Sequence, residues 1–381
     1  MKYYVIAGEA SGDLHGANLL TELLKRDADA QIRFWGGDRM AEVAARSGKG
    51  NAIVQVRHIR DLAYMGFVEV VSHLGTVLGN IRLCKQDIAE FNPDVAIYID
   101  YPGFNLKIAE YAHNKGIKNL HYISPQVWAW KKGRLVPMRK NLDRLCYILP
   151  MEREFYAENY MPQAVYVGHP LLDEVARYRD ENDNMRICGD DERKIIALLP
   201  GSRKQELRKM LPMMVELAER HSEYRFVVAG MKLIGKDFYE GLIPKDKKNI
   251  EVLFDRTYDL LSEAHAAVVC SGTATLETAL FGVPQVVCYR CNPLSAAIVK
   301  RFIDSRIKYI SLVNLIADRR VVCELIQDDL TSDRLEREFE AITVNEDIRG
   351  KMKREYDEVA ALLGGAGASG RTADEAIKLI K

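Results

Sequence analysis

The sequence predicts an α/β protein of two doubly wound, Rossmann-like domains that face each other across a cleft. Three observations carry this expectation. Short β-rich runs alternate with helical segments from Met1 to about Gly168, the rhythm of a parallel sheet wrapped by crossover helices. Residues 171–194 then turn polar and charge-dense, ending in ENDNMRICGDDERK, which reads as a domain junction. After the junction the same rhythm restarts, and 381 residues suit two domains of roughly 100–200 residues each. The expected division is 1–170, a junction at 171–194, 195–363, and a glycine hinge with a terminal helix at 364–381 that crosses back.

In the first domain the expected strands are 3–7, 31–35, 95–99, 119–123, 144–149 and 164–167; in the second, 195–199, 225–229, 251–253, 266–270 and 285–289. Ligands of such sheets bind beyond the carboxyl ends of the strands. The segments 8–13, 100–105, 124–130, 168–170, 200–203 and 271–277 all follow expected strands, so the informative side chains fall there. The tail from Asp333 is helical and charged, interrupted by GGAGASG at 364–370.

Composition removes several classes. Basic and acidic residues balance at 54 each, so the chain as a whole lacks the positive footprint that phosphate-backbone binding needs, and a nucleic-acid partner is not expected. Seven cysteines read as buried thiols of a reducing compartment, and the lone pair Cys288 and Cys291 lacks the second pair of a zinc site. The first apolar run is too short for a signal peptide, and no stretch approaches the roughly 18 apolar residues of a membrane span. A cytosolic protein that touches a membrane without crossing it is the expectation.

Two turns of the second domain converge on a diphosphate. Ser271, Gly272 and Thr273 follow a strand and open a helix, so backbone N–H groups and the helix dipole can hold an anion. Glu277, about one turn further, offers a carboxylate to ribose hydroxyls. Gly201, Ser202 and Arg203 end another strand, where a guanidinium can meet phosphate oxygens. The expected grip uses donors rather than metal, because the acidic pair Asp27 and Asp29 precedes a strand, at the wrong end of the sheet, and reads as a solvated loop. Gly8, Gly12 and Gly16 are spaced four apart, so the dinucleotide fingerprint is missing and a dehydrogenase is not expected.

The first domain has a different character. GEASGDLHG at 8–16 carries Glu9 and Asp13, which would repel a diphosphate, so this domain is assigned the acceptor, with Ser11 and Gly12 opening a helix towards the cleft. Asp100 ends the apolar run VAIYI and projects a carboxylate from the strand's carboxyl edge; it is the expected catalytic base, with Glu9 and Asp13 the alternatives. Phe67, Val70, Val71, Leu74, Val77 and Ile81 form a helical stripe that reads either as core or as a greasy surface for acyl chains. Trp128 and Trp130 precede Lys131, Lys132, Arg134, Arg139 and Lys140, a pattern suited to an anionic lipid interface. His169 at the junction reads as a hydrogen-bonding hinge residue rather than a base.

At this point the chain resembles the lipid-A-disaccharide synthase family of glycosyltransferases. The resemblance lies in AGEASGD at 7–13, MGFVEV at 65–70, IDYPGFN at 99–105, HYISPQVWAW at 121–130, LLPGSR at 198–203, SGTATLE at 271–277 and SLVNL at 311–315, spread over most of the chain. It implies a GT-B fold and an inverting transfer with neither metal nor cofactor. The implied donor is UDP-2,3-diacylglucosamine and the acceptor 2,3-diacylglucosamine 1-phosphate, handled at the anionic cytoplasmic face of the inner membrane. In the family Asp100 matches the proposed base, and Arg203, Glu277 and Asn314 match the nucleotide side. The chain departs from many members at Gly103, Gln126 and Val313, which they replace with an acid, a serine and a proline. Two rival functions stay open: another GT-B enzyme on UDP-GlcNAc-type sugars, epimerase or transferase, and a non-catalytic sugar-nucleotide sensor. Acyl-chain length and oligomeric state, a homodimer included, are left open as well.

Overall fold

The computed structural model describes residues 1–62, 74–129, 131–181, 191–244, 246–290 and 308–381. They divide into two units, Met1–Asp173 with Gly365–Lys381, and Glu174–Gly364.

Unit 1 is built on seven strands: β1 (Lys2–Ala7), β2 (Gln31–Gly36), β3 (Ile53–His58), β4 (Val95–Ile99), β5 (Lys118–Tyr122), β6 (Arg144–Tyr147) and β7 (Ala164–Tyr166). The helices along it are α1 (Ala10–Arg26), α2 (Asp38–Arg46), α3 (Leu74–Phe91), α4 (Pro102–Asn114), α5 (Leu135–Asn141) and α6 (Glu152–Glu158), followed by α7 (Pro170–Glu181). All pairings are parallel, in the order β3-β2-β1-β4-β5-β6-β7. Every residue of β4, VAIYI, is buried, as a strand covered on both faces requires. The pleat of β1 sends Tyr3 and Val5 to one apolar layer, with Leu19, Leu20 and Leu23 of α1. Tyr4 and Ile6 go to the other, with Phe104 and Ile108 of α4. The strand order reverses between β1 and β4, so the crevice of this sheet opens beyond their carboxyl ends, where Gly8 and Glu9 follow β1 and Asp100 follows β4.

Unit 2 has six parallel strands in the order β10-β9-β8-β11-β12-β13. They are β8 (Ile195–Leu199), β9 (Arg225–Gly230), β10 (Ile250–Phe254), β11 (Ala264–Cys270), β12 (Gln285–Tyr289) and β13 (Cys323–Ile326). Its helices are α8 (Lys204–Arg220), α9 (Lys236–Glu240), α10 (Thr257–Glu263), α11 (Thr273–Leu280), α12 (Leu312–Ala317), α13 (Ser332–Val344) and α14 (Glu346–Leu363). Ile195, Ala197, Val227 and Val269 pack against Leu260 and Leu261. Here the order reverses between β8 and β11, the two strands that lead into Gly201–Arg203 and Ser271–Thr273.

The terminal helix α15 (Ala368–Lys378) belongs to unit 1, packed along α1. Asp173 accepts from the amides of Gly367, Ala368 (3.3 Å) and Ser369 (3.1 Å), capping its N-terminus, and Arg26 pairs with Asp374 at 2.6 Å.

Two strands escape the sequence pattern, β3 and β13. Both are edge strands, where solvent on one side relaxes the demand for apolar residues, and IVQVRH and CELI carry little alternation. The charged junction begins as helix: Leu171 and Val175 of α7 are buried, and residues 182–190 lie outside the described residues. Asp27 is no solvated loop residue, since its carboxylate binds the N-terminal ammonium at 3.0 Å and the Tyr3 hydroxyl at 3.1 Å. Cys84, Cys146, Cys270, Cys288 and Cys323 are free and buried, while Cys188 and Cys291 lie outside the described residues.

Candidate functional site

In unit 1 the site grows from the carboxyl ends of β1, β4 and β5. Gly8 follows β1 against the ring of Tyr101, where a Cβ would come within 2.3 Å of Cδ1, so only glycine allows this approach. Asp100 and Tyr101 both have left-handed backbones, φ 46° and 48°, which turn the chain off β4 and into α4. Asn105 secures that turn by donating to the Asp100 carbonyl at 2.7 Å.

The Asp100 carboxyl is pushed up to about 6, first by burial and then by the charge of Glu9; the Tyr101 amide and Arg134 pull the other way. The charges of Glu9 and Arg134 thus act on Asp100 in opposite senses. An acid at about 6 is ionised at neutral pH and still basic enough to take a proton in a transition state. Ser11 is exposed in the first turn of α1.

Asp13, held in reserve as a base, is committed to the fold. It accepts from the amides of Gly37 (2.6 Å), Arg39 (3.0 Å) and Met40 (3.1 Å), which fastens α1 to the start of α2. His169 is buried, its Nδ1 accepts from the Leu171 amide at 3.2 Å, and burial drives its pKa down to about 3, so it is a neutral hydrogen-bonding residue.

The apolar stripe is only partly in view. Phe67, Val70 and Val71, the side chain of Leu74, and Trp130 lie outside the described residues. Beyond them Ile81 is core and Val77 packs against it, while Leu78 is 54% exposed, so this stretch of α3 serves both core and surface. Among the described residues no helix is long and apolar enough to cross a membrane.

In unit 2 the two turns lie on either side of the strand-order reversal. Gly201, φ 107°, lets the chain leave β8 and pass within contact of Glu206. Arg203 is exposed at the N-cap of α8. The Glu206 carboxylate accepts from the Ser202 amide at 3.0 Å and lies 3.4 Å from the Arg203 guanidinium. Opposite, Gly272 and Thr273 are exposed where α11 begins, and no side chain caps this helix terminus, the end at which backbone amides lack carbonyl partners of their own helix. Ser271 offers no free donor here: its amide donates to the Cys288 carbonyl at 3.0 Å and its hydroxyl to the Ile310 carbonyl at 3.1 Å.

Glu277 lies in the second turn of α11. Its carboxylate accepts from the Tyr258 hydroxyl at 3.0 Å, and burial raises its pKa above the usual range. Tyr258 comes from α10, a segment without a sequence motif to flag it. Glu206 escapes sequence reading too, because its partner Ser202 is four residues away and Arg203, three residues before it, has no acceptor for a helix capping box.

Asn314 requires correction as a direct nucleotide contact. It is fully buried, Oδ1 accepts from Val321 (2.7 Å) and Val322 (2.9 Å), and Nδ2 donates to the Val322 carbonyl and to Glu324. Glu324 also accepts from the amides of Ile310 and Ser311. Asn314 thus orders the 310–324 turn, and through Ile310 and Ser271 it supports the start of α11.

The chain matches the family model described as lipid-A-disaccharide synthetase over residues 3–377. It is 35% identical to the lipid-A-disaccharide synthase of Geobacter sulfurreducens, over 99% of this chain and 96% of that one. Among solved structures it resembles the glycosyltransferase of kitacinnamycin, with TM-score 0.66 and 16% identity over 100% and 99% of the two chains. It also resembles the UDP-GlcNAc 2-epimerase of Neisseria meningitidis bound to UDP-GlcNAc, with TM-score 0.69 and 12% identity over 99% and 100%. These two likenesses concern the fold, which is of the GT-B type.

Proposed function

The chain belongs to the lipid-A-disaccharide synthase family, glycosyltransferases of lipid A biosynthesis, and we propose that it joins two acylated glucosamines by an inverting transfer that needs no metal. The donor is UDP-2,3-diacylglucosamine, the acceptor 2,3-diacylglucosamine 1-phosphate, and the products a β-1,6-linked disaccharide 1-phosphate and UDP.

One observation carries the chemical part: a carboxylate at about 6, Asp100, stands at the carboxyl end of β4, where the strand order of unit 1 reverses. In this reading Asp100 takes the proton of the acceptor's 6-hydroxyl as its oxygen attacks the anomeric carbon. The bond from that carbon to the diphosphate breaks on the opposite face, which inverts the centre. Unit 2 receives the charge that UDP gains: Arg203 supplies a cation, the α11 amides supply dipoles, and Glu277 accepts from the ribose. Glu9 keeps Asp100 basic by repulsion, while Ser11 lies at the acceptor's side of the α1 turn. These donors supply the positive charge that a metal provides in other transferases.

The greasy segment 67–74, with Trp128 and the exposed Lys131 and Lys132, is the part of this reading that reaches the acyl chains and the anionic inner-membrane surface from the cytoplasmic side. Incubation with the acylated donor and acceptor, followed by mass spectrometry and NMR of the new linkage, tests the whole. A β-1,6 disaccharide formed at an unchanged rate in chelator is the expected result; an α linkage or a strict magnesium requirement overturns it.

A further inference from the structure

Glu152 is 1% exposed at the start of α6, an unusual place for a carboxylate. It accepts from three donors at once: the Ser124 hydroxyl, the Leu149 amide at 3.0 Å and the Ile148 amide at 3.3 Å. Three donors converging on one buried point call for a group that only accepts, which an ionised carboxylate is and an amide or hydroxyl is not. The donors come from different places, Ser124 from the segment that leaves β5, Ile148 and Leu149 from the segment that leaves β6. Glu152 therefore ties together two neighbouring strand exits.

Those exits adjoin Asp100. The Asp100 amide donates to the Tyr122 carbonyl at 3.0 Å, and the next residue, Ile123, donates its amide to the Cys146 carbonyl at 3.0 Å. Ile123 has φ 62°, a conformation that a β-branched side chain resists, beside the left-handed Asp100 and Tyr101. Such backbones persist only where their surroundings hold them, and they gather where geometry serves function.

We propose that Glu152 is a positioning residue for the transfer: through the Ser124 hydroxyl it locks the turn at Ile123, and with it the Tyr122 carbonyl that holds the Asp100 amide. The role deepens the reading of Asp100 as base and rests on it. Burial pushes Glu152 up to about 7, against the pull of its three donors, so the knot holds a group that sits close to its own titration near neutral pH. The titratable groups facing it are Tyr156 on its own helix and Tyr166 on β7; Tyr147 packs between their rings at 5.5 Å from each, and Arg153 covers Tyr166 at 5.8 Å. Facing Asp100 are Glu9, Arg134 and the Tyr101 amide.

The test is kcat, KM and the pH profile of Ser124→Ala and Glu152→Gln, with Ser124→Thr as the conservative control. A loosened segment should lower kcat by about 10- to 100-fold, the scale for displaced catalytic geometry, and leave the Kd for UDP unchanged. It should also shift the acid limb of the profile away from about 6, because a displaced Asp100 meets the charges of Glu9 and Arg134 differently. Ser124→Thr should restore both. If Glu152→Gln does not fold, Ser124→Ala decides alone: a kcat within twofold of wild type with an unmoved acid limb overturns the proposal. Asp100→Asn in the same assay separates the two readings. Wild-type turnover there removes the base, and this proposal with it, whereas an inactive Asp100→Asn beside an unaffected Ser124→Ala overturns only the role of Glu152.

Discussion

The Glu206 carboxylate holds the Ser202 amide at 3.0 Å, on the turn expected to meet a diphosphate. A phosphate oxygen arriving at that amide must displace this carboxylate or share a site with its charge. Glu206→Gln keeps the shape and removes the charge, so UDP should bind about three- to tenfold more tightly, the size of one partly screened charge interaction. Titration calorimetry at low and moderate salt checks this, and weaker binding by the variant would show that Glu206 supports the turn rather than opposing the ligand.

Arg203 is exposed and paired only loosely with Glu206, at 3.4 Å, so it is available to a ligand at little cost to the fold. Arg203→Ala should weaken UDP binding by roughly 1.5–3 kcal/mol, the range for charge-assisted hydrogen bonds. Its Tm should stay close to wild type. An unchanged Kd would remove Arg203 from the nucleotide site.

Asp100→Asn should lower kcat by about 10² to 10⁴-fold, the contribution of a positioned general base, and leave UDP affinity alone. In the wild type kcat/KM should fall as the pH drops below about 6, where Asp100 becomes protonated. Stability should run in the opposite sense. The folded-state pKa lies above the ordinary 3.8, so the folded protein holds the proton more tightly, and this group's contribution is fully present below 3.8 and lost as pH rises through about 6. Asp100→Asn should accordingly melt above wild type at pH 8, with the advantage gone near pH 4. Equal melting temperatures at pH 8 would contradict the half-buried, charged Asp100.

Asn314→Ala leaves the Val321 and Val322 amides without their acceptor. Each buried group left unpaired costs about 1–3 kcal/mol, so calorimetry should show a Tm lower by several degrees. UDP binding, measured well below that Tm, should suffer less than in Arg203→Ala. Loss of UDP binding at an unchanged Tm would restore Asn314 as a direct contact.

What the sequence by itself determined is the alternation of elements and the addresses of the site. VAIYI and IIALL are apolar throughout, so each reads as a central strand without reference to any partner, and the residues that follow them, Asp100 and Gly201–Arg203, are thereby placed at carboxyl ends. Edge strands β3 and β13 were hidden because one open side leaves their residue types nearly free. Tertiary structure alone decided which polar groups are spoken for. Asp13 and Asn314 look from sequence like reactive or ligand-facing side chains, yet their partners are amides of Gly37 and Val321, brought to them by other elements. Arg134 reads as one of a basic cluster, and only folding brings its charge to bear on Asp100. A hydrogen bond depends on an approach of about 3 Å between groups whose sequence separation sets no limit, whereas burial of a central strand is written into its own residues.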